Sequence, residues 1–269
     1  MTKARIVNII SNSNYESRRV NAQLVRKLKD LQLTPSREFS DQAELTIVIG
    51  GDGAFIKAVK QTRFSPIPIV GINTGHLGFY QEIIPDQLDD FLEAYMNGRY
   101  VLEQVSLLGA EIFTKNRNFF VTALNEIVIK AQHSKVLHLN LFLNRNHVEK
   151  FSGDGMLIAT PSGSTGYNFS AGGSLIYPTL EVLEITPLNP ITSSAYRSLS
   201  NSIIVPGDVI ATLVPERRYS NSSLLVIDGI EYSYRQLRKV NVKMSDRKIN
   251  RITLNKDNYW NNLKSKFLD

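Results

Sequence analysis

An α/β domain followed by an all-β domain is the fold class this sequence predicts: a Rossmann-like parallel α/β domain over residues 1–99 and a β-sandwich-like domain over residues 100–254. Three observations carry that prediction. The first third of the chain alternates buried-strand and amphipathic-helix patterns, the mark of βαβ units and so of a parallel sheet. From Tyr100 onward the pattern changes to short alternating strands separated by polar turns, as in an antiparallel sandwich. A glycine-rich turn, Ile49-Gly50-Gly51-Asp52-Gly53-Ala54-Phe55, falls where an apolar strand hands over to a helix.

In chain order, Ala4 to Ile10 is a buried strand and Tyr15 to Leu33 an amphipathic helix. Leu45 to Ile49 is a β-branched strand, and Ala54 to Thr62 a helix with apolar residues at 54, 55, 58 and 59. Ile67 to Ile72 is the next strand, and Ile84 to Met96 a helix ended by Asn97-Gly98. Ligands of such a sheet bind beyond the strand C-termini, where Gly50 to Gly53 and Asn73 to Phe79 fall.

In the second domain Val105 to Phe113 and Phe119 to Lys130 form a hairpin around Lys115-Asn116-Arg117-Asn118. Lys135 to Leu143 and Val148 to Phe151 form another around Asn144-Arg145-Asn146. Met156 to Ala159, Ser202 to Val205, Val209 to Val214, Leu224 to Ile227, Lys239 to Met244 and Lys248 to Leu254 are further strands. The tail from Asn255 sets Tyr259, Trp260, Leu263 and Phe267 at helical spacing.

Composition excludes several chemistries. With no cysteine among 269 residues, disulfides, thiolate zinc sites and a cysteine nucleophile are ruled out. The four histidines, at 76, 133, 138 and 147, show no ligand-like spacing, so no protein ligand cluster for a metal is readable. The formal charge of +6 comes from scattered pairs such as Arg18-Arg19 and Arg217-Arg218, so nucleic acid is not an expected partner. No apolar run reaches the roughly 18 residues of a membrane span and no apolar signal core follows a charged start, so a soluble, cytoplasmic chain without a membrane partner is expected.

Motifs then narrow the chemistry. Glycines let another group approach the backbone, and the following helix start favours an anion, so Gly50, Gly51 and Gly53 suit a phosphate turn. Asp52 inside it would repel a phosphate unless it shares a metal with it or accepts a proton from the attacking group; the blander reading is a helix cap. A second Gly153-Asp154-Gly155 opens a segment, Thr160-Pro161-Ser162-Gly163-Ser164-Thr165-Gly166-Tyr167-Asn168-Phe169-Ser170, whose hydroxyls, amide and rings suit a many-hydroxyl ligand. Asn125-Glu126 interrupts an apolar strand and is either solvent-facing or functional. No Walker sequence is present and the Rossmann glycine pattern is not completed, which disfavours ordinary P-loop kinases and dehydrogenases.

Taken together, Gly50-Gly51-Asp52-Gly53, Asn125-Glu126, Gly153-Asp154-Gly155, the 160–170 segment and Asn73-Thr74-Gly75-His76-Leu77-Gly78-Phe79 resemble the bacterial NAD kinase family in order and spacing, over nearly the whole chain. The resemblance implies that Asp52 is the catalytic proton acceptor for the adenosine ribose 2′-hydroxyl of NAD, with Gly50, Gly51 and Gly53 near the phosphates and Lys57 a cation one turn on. It implies that Asn125 and Glu126 hold the ribose and adenine, that Asp154 contacts the dinucleotide, and that Ser162, Thr165, Gly166, Tyr167, Asn168, Phe169 and Ser170 grip it. Phe79 would stack on a base, and Asn189 would line the site. Ala54, Ser152 and Gly166 depart from the Thr, Arg and Ala usual there.

The implied reaction uses NAD and ATP, or another phosphoryl donor such as polyphosphate, with a divalent metal, Mg²⁺ by expectation, in a cleft between the domains. A homodimer or homotetramer is implied, as is a C-terminal helix, 255–269, packed on the first domain. Two alternatives stay open: a lipid or sugar kinase sharing the Gly-Gly-Asp-Gly turn, and a non-catalytic dinucleotide sensor.

Overall fold

A computed structural model describes residues 4–192, 197–255 and 257–268 and divides the chain into two compact units, Met1–Val105 with Lys248–Asp269, and Ser106–Arg247. The first begins with β1 (Ile6–Ser11), α1 (Tyr15–Asp30), β2 (Thr34–Ser36), β3 (Leu45–Gly50), α2 (Asp52–Gln61), β4 (Ile69–Asn73), β5 (Gln81–Ile83) and α3 (Leu88–Met96). Its strands run parallel in the order β4-β3-β1-β2, with β5 also parallel to β4. The sequence rule of right-handed crossovers sends α1 and α2 to opposite faces, because β1 leads to one side of the sheet and β3 to the other. The ends of β1 and β3 therefore flank the switch point at which open α/β sheets bind ligands.

Each helix follows from its residues. Asn14 caps α1 by accepting the Ser17 N–H at 2.7 Å, and Val20, Leu24 and Leu28 pack with Ile47, Ile49 and Phe91. The helix stops at Asp30, short of the expected Leu33, because Gln32 turns back with φ 59°. Gly98, at φ 67°, ends the turn after α3 as glycine readily does.

The second unit is built from β6 (Val101–Thr114) from Ser106 onward, β7 (Asn118–Ala123), β8 (Glu126–Ala131), β9 (Leu137–Leu143), β10 (Asn146–Gly153), β11 (Gly155–Ala159), α4 (Tyr167–Ser170), β12 (Val182–Leu188), β13 (Ile203–Pro206), β14 (Ala211–Pro215), β15 (Ser223–Ile227), β16 (Ile230–Ser233) and the start of β17 (Leu237–Thr253). One antiparallel layer runs β10-β9-β14-β17 and includes the β6-β7 hairpin; the other runs β13-β12-β11-β8-β15-β16. Leu139, Leu141, Phe151 and Leu213 of the first layer meet Ile127, Ile129, Met156 and Ile158 of the second in one apolar core.

Two strand expectations are corrected, and one strand had not been expected. Phe119 to Lys130 is not one strand: it breaks at Leu124-Asn125, leaving β7 in one layer and β8 in the other. Lys239 to Met244 and Lys248 to Leu254 are one strand, β17, since the intervening Ser245-Asp246-Arg247 has no Gly or Pro to end it and keeps its charges exposed. β12 had no sequence signal because Pro187 cannot donate; β13 pairs only with Val182 to Ile185, so at Pro187 the strand has a ladder on the β11 side alone.

The end of β17 returns to the first unit, where Arg251 pairs with Ile69 of β4, and α5 (Asn258–Phe267) follows. Asn262 Nδ2 donates to the Gly78 carbonyl at 3.1 Å, and the Phe79 ring lies 5.9 Å from Tyr259 and 5.8 Å from Phe267.

Candidate active site

In the first unit the chemistry gathers around Asp52. Gly51, extended at φ −102° and ψ −172°, caps α2, which starts two residues before the expected Ala54. A Cβ on Gly51 or Gly53 would meet nothing within 4 Å, so open space lies beside a helix start that favours anions. Gly50 is required for a different reason: a Cβ there would stand 2.5 Å from the Ala54 Cβ and 2.9 Å from Asn12 Nδ2.

Asp52 is held by the loop that follows β4. Its Oδ2 accepts the Phe79 N–H at 2.9 Å and its Oδ1 the Tyr80 N–H at 3.0 Å. A Cβ on Gly78 would fall 2.1 Å from Oδ1, so only glycine lets the loop come this near. Lys266 of α5 brings its Nζ to 3.9 Å from Oδ2 and to 5.0 Å from the Phe79 ring centroid. Arg251 donates to the Phe79 carbonyl at 2.6 Å and pairs with Glu103, both largely buried, which fixes the loop from its other side. The carboxylate is thus aimed but retains lone pairs for a proton. Lys57 is exposed on α2, and no contact ties it to Asp52.

In the second unit the organising group is Asp228. It sits with Gly229 in the β15-β16 turn, at φ 45° and 78°, and its carboxylate accepts the N–H groups of Leu124, Asn125 and Glu126 at 3.0, 2.7 and 3.3 Å. That grip makes the break between β7 and β8 and sets Asn125 and Glu126, both buried, at the start of β8. Thr160 Oγ1 donates to the Leu124 carbonyl at 2.8 Å, and Gly163 comes so near that a Cβ would lie 2.2 Å from the Asn125 carbonyl oxygen. Gly166 faces the same pair: a Cβ there would be 3.6 Å from Asn125 Nδ2 and 3.8 Å from Glu126 Oε2.

The 160–170 segment divides its residues between holding and presenting. Asn168 is fully buried, donating to Glu184 and accepting from Thr186, each at 2.6 Å. The sequence reading put Asn168 on the ligand; the structure commits both ends of its amide to the protein. Thr165 Oγ1 donates to the Ser162 carbonyl at 3.3 Å, whereas Tyr167, Phe169 and Ser170 are exposed. Asp154, exposed, accepts from Asn189 Nδ2 at 2.7 Å, so these two distant residues are one pair.

The ATP-NAD kinase N-terminal domain family matches residues 6–100 and the ATP-NAD kinase C-terminal domain family residues 124–254. The chain belongs to the ATP-NAD kinase family. It is 44% identical to an NAD kinase of Finegoldia magna over 98% of both chains, and 32% identical to one of Streptococcus mutans over 97% of this chain and 94% of that one. Its fold is shared with yeast NADH kinase complexed with NADH, at TM-score 0.85 and 20% identity over 98% of this chain and 87% of that one. It is shared too with an Archaeoglobus fulgidus NAD kinase in complex with ATP, at TM-score 0.77 and 22% identity over 97% and 98%.

Among the three departures from the usual ATP-NAD kinase residues, Ala54 and Ser152 have local partners. Ala54 packs against Gly50. Ser152, fully buried, binds His138 Nδ1 at 2.7 Å, and burial together with Arg218 pushes the imidazole below its ordinary value. Nothing in the structure explains Gly166, where a Cβ would meet the Gly163 carbonyl oxygen at 3.3 Å and Asn125 Nδ2 at 3.6 Å. Sequence reasoning missed Asp228 as the clamp and missed Lys266 altogether. A hairpin Asp-Gly signals the turn but not what its carboxylate reaches.

Proposed function

We propose that this ATP-NAD kinase moves the terminal phosphoryl group of ATP to the 2′-hydroxyl of the adenosine ribose of NAD, and that Asp52 takes the hydroxyl proton. The products are ADP and NADP. The observation that carries the assignment is the Asp52 carboxylate, fixed by the Phe79 and Tyr80 N–H groups at the open start of α2. Phosphoryl transfer asks a protein mainly for positioning and charge compensation. The open glycine turn offers N–H groups to a phosphate, Lys266 adds a cation, and Asp52 supplies the base.

Asn125 and Glu126 hold the adenosine ribose in this reading, because Asp228 fixes their backbone. Asp154 with Asn189 and the exposed Tyr167, Phe169 and Ser170, together with Ser162, Thr165 and Gly166, serve the rest of the dinucleotide. Asn168 supports them from beneath.

A divalent metal, Mg²⁺ by preference, belongs to the reading. Among the described residues no group of three His, Asp or Glu converges as a metal cage, which fits an ion carried mainly by donor phosphates and water. Bound there, it would neutralise the charge on the transferring group. The family resemblance also supports a homodimer or homotetramer in the cytoplasm, which light scattering and cell fractionation test. Among the described residues no helix is long and apolar enough to cross a membrane.

The test is purified protein with NAD, ATP and Mg²⁺, and NADP read with an NADP-specific dehydrogenase. Metal-dependent NADP formation is expected; NAD binding without turnover would replace the reading with the sensor.

A further inference from the structure

Two peptide groups hold the Asp52 carboxylate, and each is held at its opposite end by a side chain from the C-terminal segment of the first unit. The N–H of the Gly78-Phe79 peptide donates to Asp52 Oδ2 at 2.9 Å, while its carbonyl oxygen, on Gly78, accepts from Asn262 Nδ2 at 3.1 Å. The N–H of the Phe79-Tyr80 peptide donates to Oδ1 at 3.0 Å, while its carbonyl oxygen, on Phe79, accepts from Arg251 Nη1 at 2.6 Å. Both peptides are trans, so each N–H points away from its own carbonyl and the two bonds of each peptide continue one another. Hydrogen bonds chained in this way polarise one another, and a donor on the carbonyl makes the N–H a better donor in turn.

The two outer donors come from different elements. Arg251 lies near the end of β17, and its Nε and Nη2 both donate to Glu103 Oε2, at 3.0 and 2.5 Å, which leaves Nη1 for the Phe79 carbonyl. Since Glu103 compensates the guanidinium charge, Arg251 acts on the peptide by its hydrogen bond more than as a bare cation. Asn262 stands on α5, three residues after Tyr259 and four before Lys266, on one helix face. Tyr259 meets the Phe79 ring, and Lys266 comes to 3.9 Å from Asp52 Oδ2. A tail that merely covered the first unit would need apolar contacts, not a donor on each of the two carbonyls whose peptides grip Asp52.

We propose that Asn262 and Arg251 are positioning residues for phosphoryl transfer, acting on Asp52 through the two intervening peptides: they fix the direction of both N–H donors and strengthen them. The proposal rests on the reading of Asp52 as the proton acceptor and adds to it the groups that keep its carboxylate ionised and in one orientation, as a positioned base requires.

The experiment uses the full chain and aims one variant at each peptide, with urea unfolding as the check on folding. Asn262→Leu removes the donor on Gly78 at similar volume, and Asn262→Gln keeps an amide. Arg251→Met/Glu103→Gln removes the donor on Phe79 without leaving Glu103 as an unpaired, largely buried charge. Asn262→Leu and the double variant should each lower kcat about tenfold while KM for NAD stays within about twofold of wild type, and Asn262→Gln should recover part of the loss. The acidic limb of the kcat/KM profile should move to higher pH in both, because donors to an ionised carboxylate favour that form and these donors are weakened. Lys266 is kept throughout, so its charge beside Asp52 is constant across the series. A second readout needs no turnover: in amide spectra of the deuterated protein without substrate, Asn262→Leu should move the Phe79 amide proton upfield more than that of Tyr80, and Arg251→Met/Glu103→Gln should do the reverse.

Wild-type kcat with an unmoved acidic limb in folded Asn262→Leu overturns the proposal, since Asn262 would then only anchor the helix. Equal movement of both amide protons in both variants also overturns it, as the mark of a loop that has merely loosened. Wild-type protein that forms no NADP would sink the phosphotransfer reading by itself, and the paired amide shifts would still uphold or overturn the coupling through the two peptides.

Discussion

Asp228 Oδ1 accepts the backbone N–H of Asn125 at 2.7 Å, across 103 residues of chain. A hairpin turn on one strand thereby fixes the polar pair at the start of another, and Asn125 with Glu126 is not free to continue β7.

Asp228→Ala should therefore cost stability and NAD affinity together. Hydrogen bonds to a charged group contribute roughly 1.5–3 kcal/mol each, and their partial replacement by water suggests a loss of about 2–4 kcal/mol in all. Asp228→Asn, which tolerates the same φ and keeps one acceptor, should lose less. Urea unfolding and KM for NAD check both; an alanine variant with wild-type KM would show that the clamp does not position the pair.

Asp52→Asn should lower turnover by roughly 10²–10⁴-fold. It should also lower the melting temperature, because the amide keeps one acceptor oxygen while its NH₂, a donor only, would face the other of the Phe79 and Tyr80 N–H groups. Gly78→Ala tests the same contact from the other partner: with a methyl 2.1 Å from Asp52 Oδ1 the loop must move, and turnover should fall while NAD binding measured by calorimetry persists.

Lys266→Met should separate stability from turnover. The Lys266–Asp52 pair is 3.9 Å apart and both side chains are partly exposed, so its loss should change stability by less than about 1 kcal/mol. Turnover should fall about tenfold, by loss of a cation beside the transferring group. Denaturant midpoints and kcat, measured together, decide; equal small effects on both would make Lys266 a surface residue.

Gly163 and Gly166 should respond oppositely to alanine. A methyl at 163 meets the Asn125 carbonyl oxygen at 2.2 Å and must displace the segment, whereas at 166 it meets side-chain atoms at 3.6 and 3.8 Å and a backbone oxygen at 3.3 Å. Gly166, at φ −94°, is not in the left-handed region that favours glycine. Gly163→Ala should lose NAD affinity, and Gly166→Ala should keep turnover within about threefold of wild type.

His138 makes stability depend on pH. Burial first, and Arg218 next, hold its folded pKa below the ordinary 6.5, so the neutral imidazole is favoured in the folded state. Its contribution is complete above the unfolded value of 6.5 and is lost as pH falls through the lower folded value. The melting temperature should decline between about pH 7 and 5, and His138→Gln should flatten that decline.

The α/β half was legible because its strands are unbroken apolar runs and its helices carry one apolar face, patterns that report on neighbours along the chain. Asp52 and the glycines were legible because special backbone needs special residues. What stayed hidden depends on distant partners. Nothing around Asp228 announces Leu124 to Glu126, and nothing around Lys266 announces Asp52. Asn168 looked like a ligand contact because an amide in a polar loop reads the same whether it turns outward or, as here, inward onto Glu184 and Thr186.

The division of the chain has a consequence for biosynthesis. The second unit is inserted into the first, so Arg251, Tyr259, Lys266 and Phe267 leave the ribosome only after some 140 residues of β structure. Until they do, the Phe79 ring lacks its two aromatic neighbours and the Phe79 carbonyl its guanidinium. A nascent chain thus carries Asp52 before the loop that aims its carboxylate is secured, and if Asp52 takes the proton as proposed, competence for that step should be the last property the chain acquires.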